Sequence, residues 1–444
     1  MSTQDAIEVK KTGDRSQFRP WMPLTFLIGA GFFTMGLMDP LYDSYLPIFL
    51  GRWIKQEWLV GSLMALDNAL AILLIPVISA WSDRTRTPIG RRMPFILVTL
   101  PITAILFALI PWSLEQSLIA GLVVVFALNL FKQAARGPVV ALMPDLIPGD
   151  LRSEANGVIN TMGGIAAIVG TVGLAKLMDV DIILPLLGAT KDRLPFPIAG
   201  LLVILAVIFL ARFIREKPVS RGEGDTAGSE ESVPFLASMK ALGSDKSALR
   251  ILFALFFWFL GYQGILPFIG KYSVNILGTS MGNAPMAAGM VGIAYALFAV
   301  PSGYLAHRLG RKKTIRVSLL ILTGLLVLLF FFLPITKALG LVGGARMGLF
   351  WALLFVFGTF WVSIVTNSFP MLWQMASFST MGIYTGLYYT FSQAAAITSP
   401  PLTGLIIDTV GYPGIFLYGA ACMLIAFAIM AGVDKGEPEK KIQG

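Results

Sequence analysis

Apolar runs of about twenty residues or more alternate with short polar segments along almost the whole chain. Each run is long enough to cross the ~30 Å hydrocarbon core of a bilayer as a helix. A helix satisfies its backbone hydrogen bonds internally, whereas an isolated strand in lipid cannot. The pattern therefore predicts an all-α membrane protein with twelve transmembrane helices. The runs span residues 21–50, 57–81, 93–113, 117–145, 153–178, 194–213, 249–272, 284–306, 314–335, 346–371, 380–408 and 413–433.

The composition agrees with this interpretation. The chain is 56% hydrophobic and only 13% charged, whereas soluble domains carry about 25% charged residues. The first run lies behind a charged leader and is longer than a signal peptide, and no small-residue cleavage site follows it. We therefore expect this run to remain as a membrane helix.

The net charge of +9 raises the question of an acidic or nucleic-acid partner. Most of the 34 Lys and Arg residues fall in segments that twelve alternating helices would place on one side of the membrane. Such an excess is typical of cytoplasmic loops. We expect a monomeric, multi-pass protein of the cell (inner or plasma) membrane, with both termini in the cytoplasm, surrounded by lipid and without a nucleic-acid partner.

Two motifs occur twice, each time about half of the 444 residues apart. Ser-Asp-Arg at 82–84 and Gly-Arg-Arg at 90–92 correspond to His-Arg at 307–308 and Gly-Arg-Lys-Lys at 310–313. A Gly-, Ala- and Thr-containing stretch that begins at Gly157 matches one that begins at Gly386. This internal duplication predicts two six-helix bundles in pseudo-symmetric arrangement. We expect a leader at 1–20, bundles at 21–213 and 249–433, a polar cytoplasmic linker at 214–248 and a tail at 434–444.

Two six-helix halves related by an axis along the membrane normal are the arrangement of the major facilitator superfamily, and the motifs resemble its sucrose-transporter-like branch. This branch is related to the glycoside-pentoside-hexuronide:cation symporters. The resemblance implies a secondary active transporter, namely a proton-coupled symporter of a sugar or glycoside whose two halves rock around a central site. The similar segments are Ser82-Asp83-Arg84 with Gly90-Arg91-Arg92-x-Pro94-Phe95, Pro138-x-x-Ala141-Leu142-x-x-Asp145-Leu146, Arg152-x-x-Ala155-Asn156 and, as in bacterial members, Tyr384-Thr385-Gly386-Leu387-Tyr388-Tyr389.

Three departures from the family pattern limit what can be transferred. Asn129 stands where plant sucrose carriers have an aspartate thought to take the coupling proton. Ala71 and Ile75 stand where melibiose-type carriers bind sodium through two aspartates, so a sodium site of that kind is not expected. Val140 replaces an arginine of the plant proteins, while Arg136 lies one turn earlier. The substrate therefore cannot be copied from the plant members.

Ionisable side chains at bilayer depth are functional candidates, because each costs at least ~2.5–3.5 kcal/mol on insertion. Asp39 and Asp43 are four residues apart and share one helix face, and Asp67 enters its run to a depth that matches Asp39. Asp39 and Asp67 are the leading candidates for proton coupling, with a structural ion pair as the alternative. Asp43 could instead be a solvated helix end. The predicted site in the first bundle comprises Asp39, Asp43, Asp67, Asn129, Lys132, Arg136 and Asn160.

The second bundle has few buried charges but many aromatic and amide side chains. Sugars present hydroxyl groups at their rims and C–H faces on their rings, so their sites use amide and phenol partners beside aromatic rings. For any one aromatic residue, packing or interfacial anchoring is the alternative. The predicted substrate contacts are Tyr262, Gln263, Trp361, Asn367, Tyr388, Tyr389 and Gln393.

The charged loop residues predict a gate on the cytoplasmic side. Carboxylates and guanidinium groups there can form charge-assisted bonds that break and form again during the transport cycle. His307 replaces the acid in the second copy and is expected to be a remnant of the gate or a solvated residue, and not a proton relay. The gate residues are Asp83, Arg84, Arg91, Arg92, Asp145, Arg152, Arg308 and Arg311.

Two alternatives to a sugar symporter remain, one of them another kind of transporter and the other a different class of protein. An exporter or uniporter of another small organic solute is the nearest alternative, and a polytopic enzyme or receptor is a different class. The chain has no Gly-Lys-Ser/Thr phosphate loop, no Cys/His cluster and a single histidine. We therefore expect a transporter, with no enzyme activity, cofactor or metal. The residues do not specify the substrate, the stoichiometry or the direction of transport.

Overall fold

The computed structural model describes residues 18–148, 151–185, 188–216, 245–376 and 381–436. Most of the predicted leader, linker and tail lies outside these residues, so those boundaries stay predictions. The described residues form thirteen α-helices. They are α1 Met22–Leu50, α2 Glu57–Arg84, α3 Met93–Gln116, α4 Leu118–Leu146, α5 Arg152–Ile168, α6 Pro195–Phe213, α7 Lys246–Asn275, α8 Met286–Leu309, α9 Arg311–Phe330, α10 Phe332–Ala338, α11 Gly343–Trp373, α12 Met381–Val410 and α13 Gly414–Ala431.

Short elements extend or connect these helices. A π-helical turn and a 3-10 helix continue α5 toward the next loop, which contains a two-residue antiparallel hairpin, β1 and β2, with Ile183 opposite Ala189. These elements are the 3-10 helices Arg19–Trp21, Leu174–Asp179 and Met281–Asn283, the π-helical turn Val169–Gly173, and the strands Ile183–Leu184 and Gly188–Ala189.

Eleven helical segments in the described part of the chain are long and apolar enough to span a membrane. Helix α12 covers the predicted run 380–408 but is not among them, and its Tyr, Thr, Ser and Gln residues explain the lower hydropathy. The predicted run 314–335 forms two helices, α9 and α10, that meet at Phe331. Pro334 lies in the first turn of α10, where a missing N–H is tolerated. The prediction of an all-α, multi-pass membrane protein is confirmed.

Polar side chains near the ends of several helices fix where these helices start. Ser117 accepts a hydrogen bond from the backbone N–H of Ala120 at the start of α4 (3.1 Å). Asp245 accepts one from Ser247 (3.0 Å) at the start of α7. Both residue types are favoured N-caps because they satisfy backbone donors that lack a partner within the helix.

We call α1–α6 the first half and α7–α13 the second half. We call the end of the bundle that carries the loop 85–92 the basic end, and the end that carries the loop 51–56 the far end. The larger of the two main clusters of buried apolar side chains contains residues from both halves, such as Tyr45 and Tyr272. The smaller one contains first-half residues only, such as Ile28.

Glycines let the two halves approach closely at the far end. A Cβ atom at Gly61 of α2 would lie 2.5 Å from the carbonyl carbon of Pro400 in α12, closer than real Cβ atoms pack. A Cβ atom at Gly404 of α12 would lie 2.5 Å from the Cα of Trp58 in α2. Helices α2 and α12 are therefore in backbone contact there, as small residues allow in membrane bundles.

Candidate functional site

Lys132 of α4 forms the centre of a charged cluster within the first half. Its Nζ lies 2.7 Å from Oδ1 of Asp39 on α1 and 3.2 Å from Oδ2 of Asp67 on α2. The Lys132 side chain is 7% exposed, against 37% for Asp39 and 17% for Asp67. Gln133 also donates a hydrogen bond to Asp67. The structure thus brings three of the predicted residues together and links three helices.

Lys132 packs against the ring of Tyr42, which in turn is hydrogen-bonded to the amide side chain of Asn129. Its ammonium lies 5.0 Å from the ring centroid of Tyr42, a favourable cation–π distance. The Tyr42 hydroxyl accepts a hydrogen bond of 2.7 Å from Nδ2 of Asn129. Asn129 is fully buried. These contacts fix the position of Lys132, so Asn129 acts on the cluster through Tyr42.

Asp43 lies one turn from Asp39 and is partly buried. The described residues give its carboxylate no hydrogen bond or ion pair, whereas Asp39 and Asp67 both contact Lys132. Asp43 interacts electrostatically with Tyr262 of the second half. Asp39, Lys132 and Asp67 of the first half also interact electrostatically with Asp43, so Asp43 lies beside the cluster without a described bond to it.

The remaining predicted residues of the first half lie outside this cluster. Arg136 lies one turn closer to the basic end than Lys132, and its side chain is exposed. Asn160 of α5 is also exposed, and it donates a hydrogen bond to the backbone O of Asn156 (2.8 Å). Both residues are accessible, but the structure does not join them to the cluster around Lys132.

A cavity of about 390 Å³ lies between α7, α11 and α12 of the second half. Its walls combine rings, amides and a hydroxyl, as a site for a polar ring requires. Its volume falls within the ~300–1,000 Å³ typical of small-molecule sites. Four predicted residues line it. The full lining is Phe259, Gln263, Val365, Phe369, Tyr388, Tyr389, Ser392 and Gln393.

The aromatic rings around the cavity hold one another in place. Phe369 packs against Tyr388 edge to face, with ring centroids 4.3 Å apart. The hydroxyl groups of Tyr388 and Ser368 are 3.2 Å apart. Tyr388 is therefore held by packing and a hydrogen bond, whereas its neighbour Tyr389 is 59% exposed. Tyr389 is the more available of the two to a ligand.

Three predicted residues of the second half lie behind the cavity wall. Tyr262 and Trp361 stack face to face with centroids 4.1 Å apart. Asn367 is buried, and it donates a hydrogen bond of 2.8 Å to the backbone O of Ser363. Trp361 also contacts the lining residue Phe259 edge to face at 5.5 Å. The structure therefore gives these residues packing contacts that support the wall.

A network of ion pairs lies at the basic end of the first half. Asp145 of α4 accepts hydrogen bonds from Nε of Arg91 (3.0 Å) and from Nε of Arg92 (2.9 Å). Arg92 also pairs with Asp83. The hydrogen bond that Arg91 donates to the Asp145 carboxylate raises the pKa of the guanidinium above its usual value. The buried Glu216 accepts hydrogen bonds from the backbone N–H of Arg92 (3.0 Å) at the start of α3.

The other predicted gate residues make fewer contacts. Arg152 donates to the backbone O of Pro144 (2.8 Å), and Arg311 donates to the backbone O of Pro370 (3.3 Å). Arg84 and Arg308 are exposed. The contacts given above for these gate residues join residues of the same half. Their role in gating stays a prediction.

Polar contacts between the halves are found at the far end instead. Lys271 of α7 forms a buried ion pair with Glu57 of α2, with Nζ 2.5 and 2.8 Å from the two carboxylate oxygens. The hydroxyl of Tyr412 donates to the same Glu57 carboxylate at 2.7 Å. Burial and the Glu57 carboxylate raise the pKa of Tyr412, so this hydroxyl keeps its proton. Tyr45 of α1 donates to the backbone O of Met281 (3.1 Å).

This distribution of contacts describes a closed far end. The described hydrogen bonds and ion pairs that join the two halves all lie there, and none of them lies at the basic end. The arrangement can bind a small polar molecule in the cavity of the second half and can exchange protons with the carboxylates of the first half.

Sequence reasoning missed several of these residues. Gln133 is a polar residue within an apolar run and directly follows Lys132, which is a signal that could have found it. Phe369 lines the cavity, but a phenylalanine within a predicted membrane run is ordinary, so no sequence signal could have found it. Glu57 and Lys271 lie at the ends of predicted runs, where charged residues are ordinary, so nothing in the sequence singled them out.

The sequence profile of the Major Facilitator Superfamily matches residues 22–400, with a second match over 288–443. The chain belongs to the major facilitator superfamily. It is therefore a membrane transporter and not an enzyme, as the sequence predicted.

Two relatives of this major facilitator are described as sugar carriers. The general alpha-glucoside permease of Schizosaccharomyces pombe is 23% identical over 242 residues, which cover 51% of this chain and 42% of the permease. The isoprimeverose transporter of Lactiplantibacillus pentosus is 24% identical over 324 residues, which cover 70% of this chain and 64% of that transporter.

A third relative has a different description. The class E tetracycline resistance protein of Escherichia coli is 24% identical over 300 residues, which cover 64% of this chain and 66% of that protein. The chain thus spans less than two thirds of the length of each of the three relatives.

Solved structures share the fold of this major facilitator. The nucleoside transporter NupG aligns with a TM-score of 0.68 at 13% identity, over 92% of this chain and 98% of that one. An inward-facing, occupied bacterial homologue of the lysosomal transporter Spinster gives 0.65 at 16% identity, over 95% and 97%. An inward-facing bacterial homologue of ferroportin gives 0.67 at 14% identity, over 92% and 98%. At these identities the likeness shows the fold alone.

Proposed function

We propose that this transporter carries a sugar or glycoside together with a proton, by alternating access of a central site to the two sides of the membrane. The observation that carries the proposal is the cavity of the second half, in which Tyr389, Gln393 and Gln263 lie beside aromatic rings. Amides and phenols can exchange hydrogen bonds with sugar hydroxyl groups, and ring faces can cover the C–H faces. Two relatives described as sugar carriers support the same substrate class.

Proton coupling is supported by the balance of charge in the first half. Three carboxylates, Asp39, Asp43 and Asp67, lie near one ammonium group, that of Lys132, and Asp43 has no described partner. A charge at this depth is costly, and uptake of a proton removes it. Asp43 can therefore take up a proton when the site is closed to water and release it on the open side. We therefore assign the coupling proton to Asp43 and the role of holding Lys132 to Asp39 and Asp67.

Alternating access is supported by the closed far end. The two halves contact each other there through Glu57 and Lys271, while the described bonds at the basic end stay within one half. Rocking of one half against the other would break the first set and bring the basic ends together. If the basic end is cytoplasmic, as the Lys and Arg distribution predicts, this conformation is open to the inside.

The test is binding of a panel of glycosides to the purified protein, measured by isothermal titration calorimetry. We expect a glycoside to bind, and we expect Gln393→Ala or Tyr389→Ala to weaken its binding about tenfold or more. Tyr304→Ala is the matched control, because Tyr304 is an aromatic residue that is 72% exposed on α8, outside the cavity lining. Unchanged binding in both cavity variants would contradict the proposed site.

A second candidate function is export of an apolar organic solute. The tetracycline resistance relative and the apolar part of the cavity wall, Phe259, Val365 and Phe369, favour it. Tetracycline in the same titration decides between the two. Binding of tetracycline that depends on Phe369, together with no binding of any glycoside, would replace the sugar proposal.

A further inference from the structure

Asp179 of the first half accepts hydrogen bonds from the start of a helical segment in the second half. It lies at the end of the 3-10 helix Leu174–Asp179, and its Oδ1 accepts a hydrogen bond from the backbone N–H of Gly282 (3.1 Å). Its Oδ2 accepts another from the Ser280 hydroxyl (2.7 Å). Gly282 lies in the 3-10 helix Met281–Asn283, which precedes α8 within the helical segment Met281–Leu309. The Asp179 carboxylate thus accepts one backbone N–H and one side-chain hydroxyl from the other half.

Asp408 of the second half makes the corresponding contact with the first half. It lies near the end of α12, and its Oδ1 accepts a hydrogen bond from the backbone N–H of Glu57 (2.8 Å). Its Oδ2 accepts one from the backbone N–H of Trp58 (3.0 Å). Glu57 and Trp58 are the first two residues of α2. Gln56, the residue before α2, does not cap this helix with its side chain. The cap comes instead from Asp408 of the opposite half.

The two aspartates occupy equivalent positions in the duplicated halves. They are separated by 229 residues, the same offset that relates Gly157 to Gly386 in the repeated motif. Each ends the fifth membrane segment of its half, and each caps the second membrane segment of the opposite half. Two carboxylates at positions related by the internal repeat therefore each accept two hydrogen bonds from the opposite half.

We propose that Asp179 and Asp408 form a symmetric pair of latches that hold the far end closed. Asp408 satisfies two free N–H groups at the start of α2 and complements the positive end of that helix. Asp179 satisfies one N–H, that of Gly282, in the segment that leads into α8. When the far end opens, both contacts must break together, since each latch joins the two halves. The latches thus favour the conformation that is open at the basic end. The inference rests on the alternating-access part of the proposed function and is independent of the substrate.

Neighbouring contacts make the far-end closure stronger without repeating the symmetry. Glu57 is capped by Asp408 through its backbone and pairs with Lys271 through its side chain. Near Asp179, Lys176 of the first half donates to Asn283 of the second. Each latch therefore lies beside a further polar contact between the halves. Among the described contacts between the halves, only those of Asp179 and Asp408 come from equivalent positions of the internal repeat.

The size of the effect follows from helix capping. Both carboxylates are exposed at their edges, so water can replace each of them when the far end opens. Loss of an Asp cap typically changes a helix equilibrium by about fivefold. The two sites share no partner, so their effects should multiply to about 25-fold in the double variant. A residue that only stabilised the local fold would not move the balance between the two conformations.

The experiment is to measure distances between spin labels in the full-length protein in lipid nanodiscs. Cysteines at Lys191 and Lys337, which are exposed at the far end of the first and second halves, report on far-end opening. The background carries Cys422→Ala, since Cys422 is the single native cysteine. Asp179→Ala, Asp408→Ala and the double variant are compared with Asp181→Ala. Asp181 is an exposed acid of the same loop that has no described contact with the second half.

We expect the population with the longer far-end distance to grow about fivefold in each single variant and about 25-fold in the double variant. Asp181→Ala should leave it unchanged. Asp179→Asn and Asp408→Asn keep an acceptor of similar shape, so they should give smaller shifts and serve if an alanine variant does not fold. Equal distance distributions in all variants, or an equal shift in Asp181→Ala, would overturn the latch proposal.

A second label pair separates this inference from the proposed function. Cysteines at Ile89 and Lys313 report on the basic end. A far-end shift that comes with a shorter basic-end distance supports both latches and alternating access, even if no glycoside is transported. A far-end shift without any change at the basic end would mean that the two aspartates stabilise the far-end contact but that the halves do not rock. That result would contradict alternating access by rocking and would overturn the role of Asp179 and Asp408 as latches of that motion.

Discussion

Substitution of Gly61 by alanine tests how the far end closes. The added Cβ atom would lie 2.5 Å from the carbonyl carbon of Pro400 and 2.9 Å from the backbone nitrogen of Pro401, whereas ordinary contacts begin at 3.4 Å. The backbones of α2 and α12 must therefore separate by at least about 0.9 Å, the difference between 3.4 and 2.5 Å, because the carbonyl oxygen of Pro400 lies closer still. Overpacking of this kind costs about 1–3 kcal/mol. Because only the closed far end has this contact, the cost falls on that conformation.

We therefore expect Gly61→Ala to shift the protein toward the form that is open at the far end, by about fivefold to 150-fold. The assay is modification of a cysteine in place of Ser44, a buried residue of α1 at the far end, by a maleimide that does not cross membranes. Gly61→Ala should speed the modification by the same factor. A slower or equal rate would refute the close contact between α2 and α12 as a feature of the closed state.

Gly348→Ala is the matched control. Gly348 lies in α11, is exposed, and has no atom within 4 Å of its added Cβ. Both substitutions gain the same helix propensity, roughly 0.8–1 kcal/mol. A difference between them therefore measures the contact with Pro400 and not the change of residue type. If Gly348→Ala increased the rate of maleimide modification as strongly as Gly61→Ala, the contact between Gly61 and Pro400 would not explain the effect.

Three further substitutions test the site and the basic-end network. Lys132→Met should lower the free energy of unfolding by about 3 kcal/mol, because it leaves two partly buried carboxylates without their ammonium partner. Asp67→Asn in the same protein should restore part of this loss. Thermal unfolding followed by tryptophan fluorescence measures both effects. Tyr389→Ala should weaken glycoside binding without a change in melting temperature, which contrasts a binding role with a structural one. Asp145→Asn should destabilise the protein by roughly 1.5–3 kcal/mol, since it weakens charge-assisted bonds to two guanidinium groups; an unchanged melting temperature would contradict that assignment.

Most of the fold could be predicted from the sequence, because each membrane helix must be apolar over its own length. The run 249–272 became the helix Lys246–Asn275, longer at both ends since polar residues there still form helical hydrogen bonds. The run 314–335 was predicted as one helix, and Pro334 divides it. A proline in the first turn is compatible with a new helix, and hydropathy does not report such a break.

The candidate site could be predicted in part. Depth along each run placed Asp39 and Asp67 at one level, and the structure shows both at Lys132. The partners across the halves could not be predicted, because the pairing of Glu57 with Lys271 depends on which helices face each other and on which end is closed. Two conformations of such a protein differ by only a few kcal/mol, so hydrophobic patterning does not determine which of them is adopted.

Proton movement that follows glycoside addition is the most direct test of the proposed transport. The purified protein is reconstituted in sealed liposomes that contain a pH-sensitive dye, and mono- and disaccharide glycosides are added outside one at a time. We predict a change of internal pH with one class of glycoside. The same signal should be lost in Asp43→Asn, which should still exchange labelled glycoside across the membrane. Silence for every glycoside in vesicles shown to be sealed and to contain folded protein would contradict proton-coupled sugar transport.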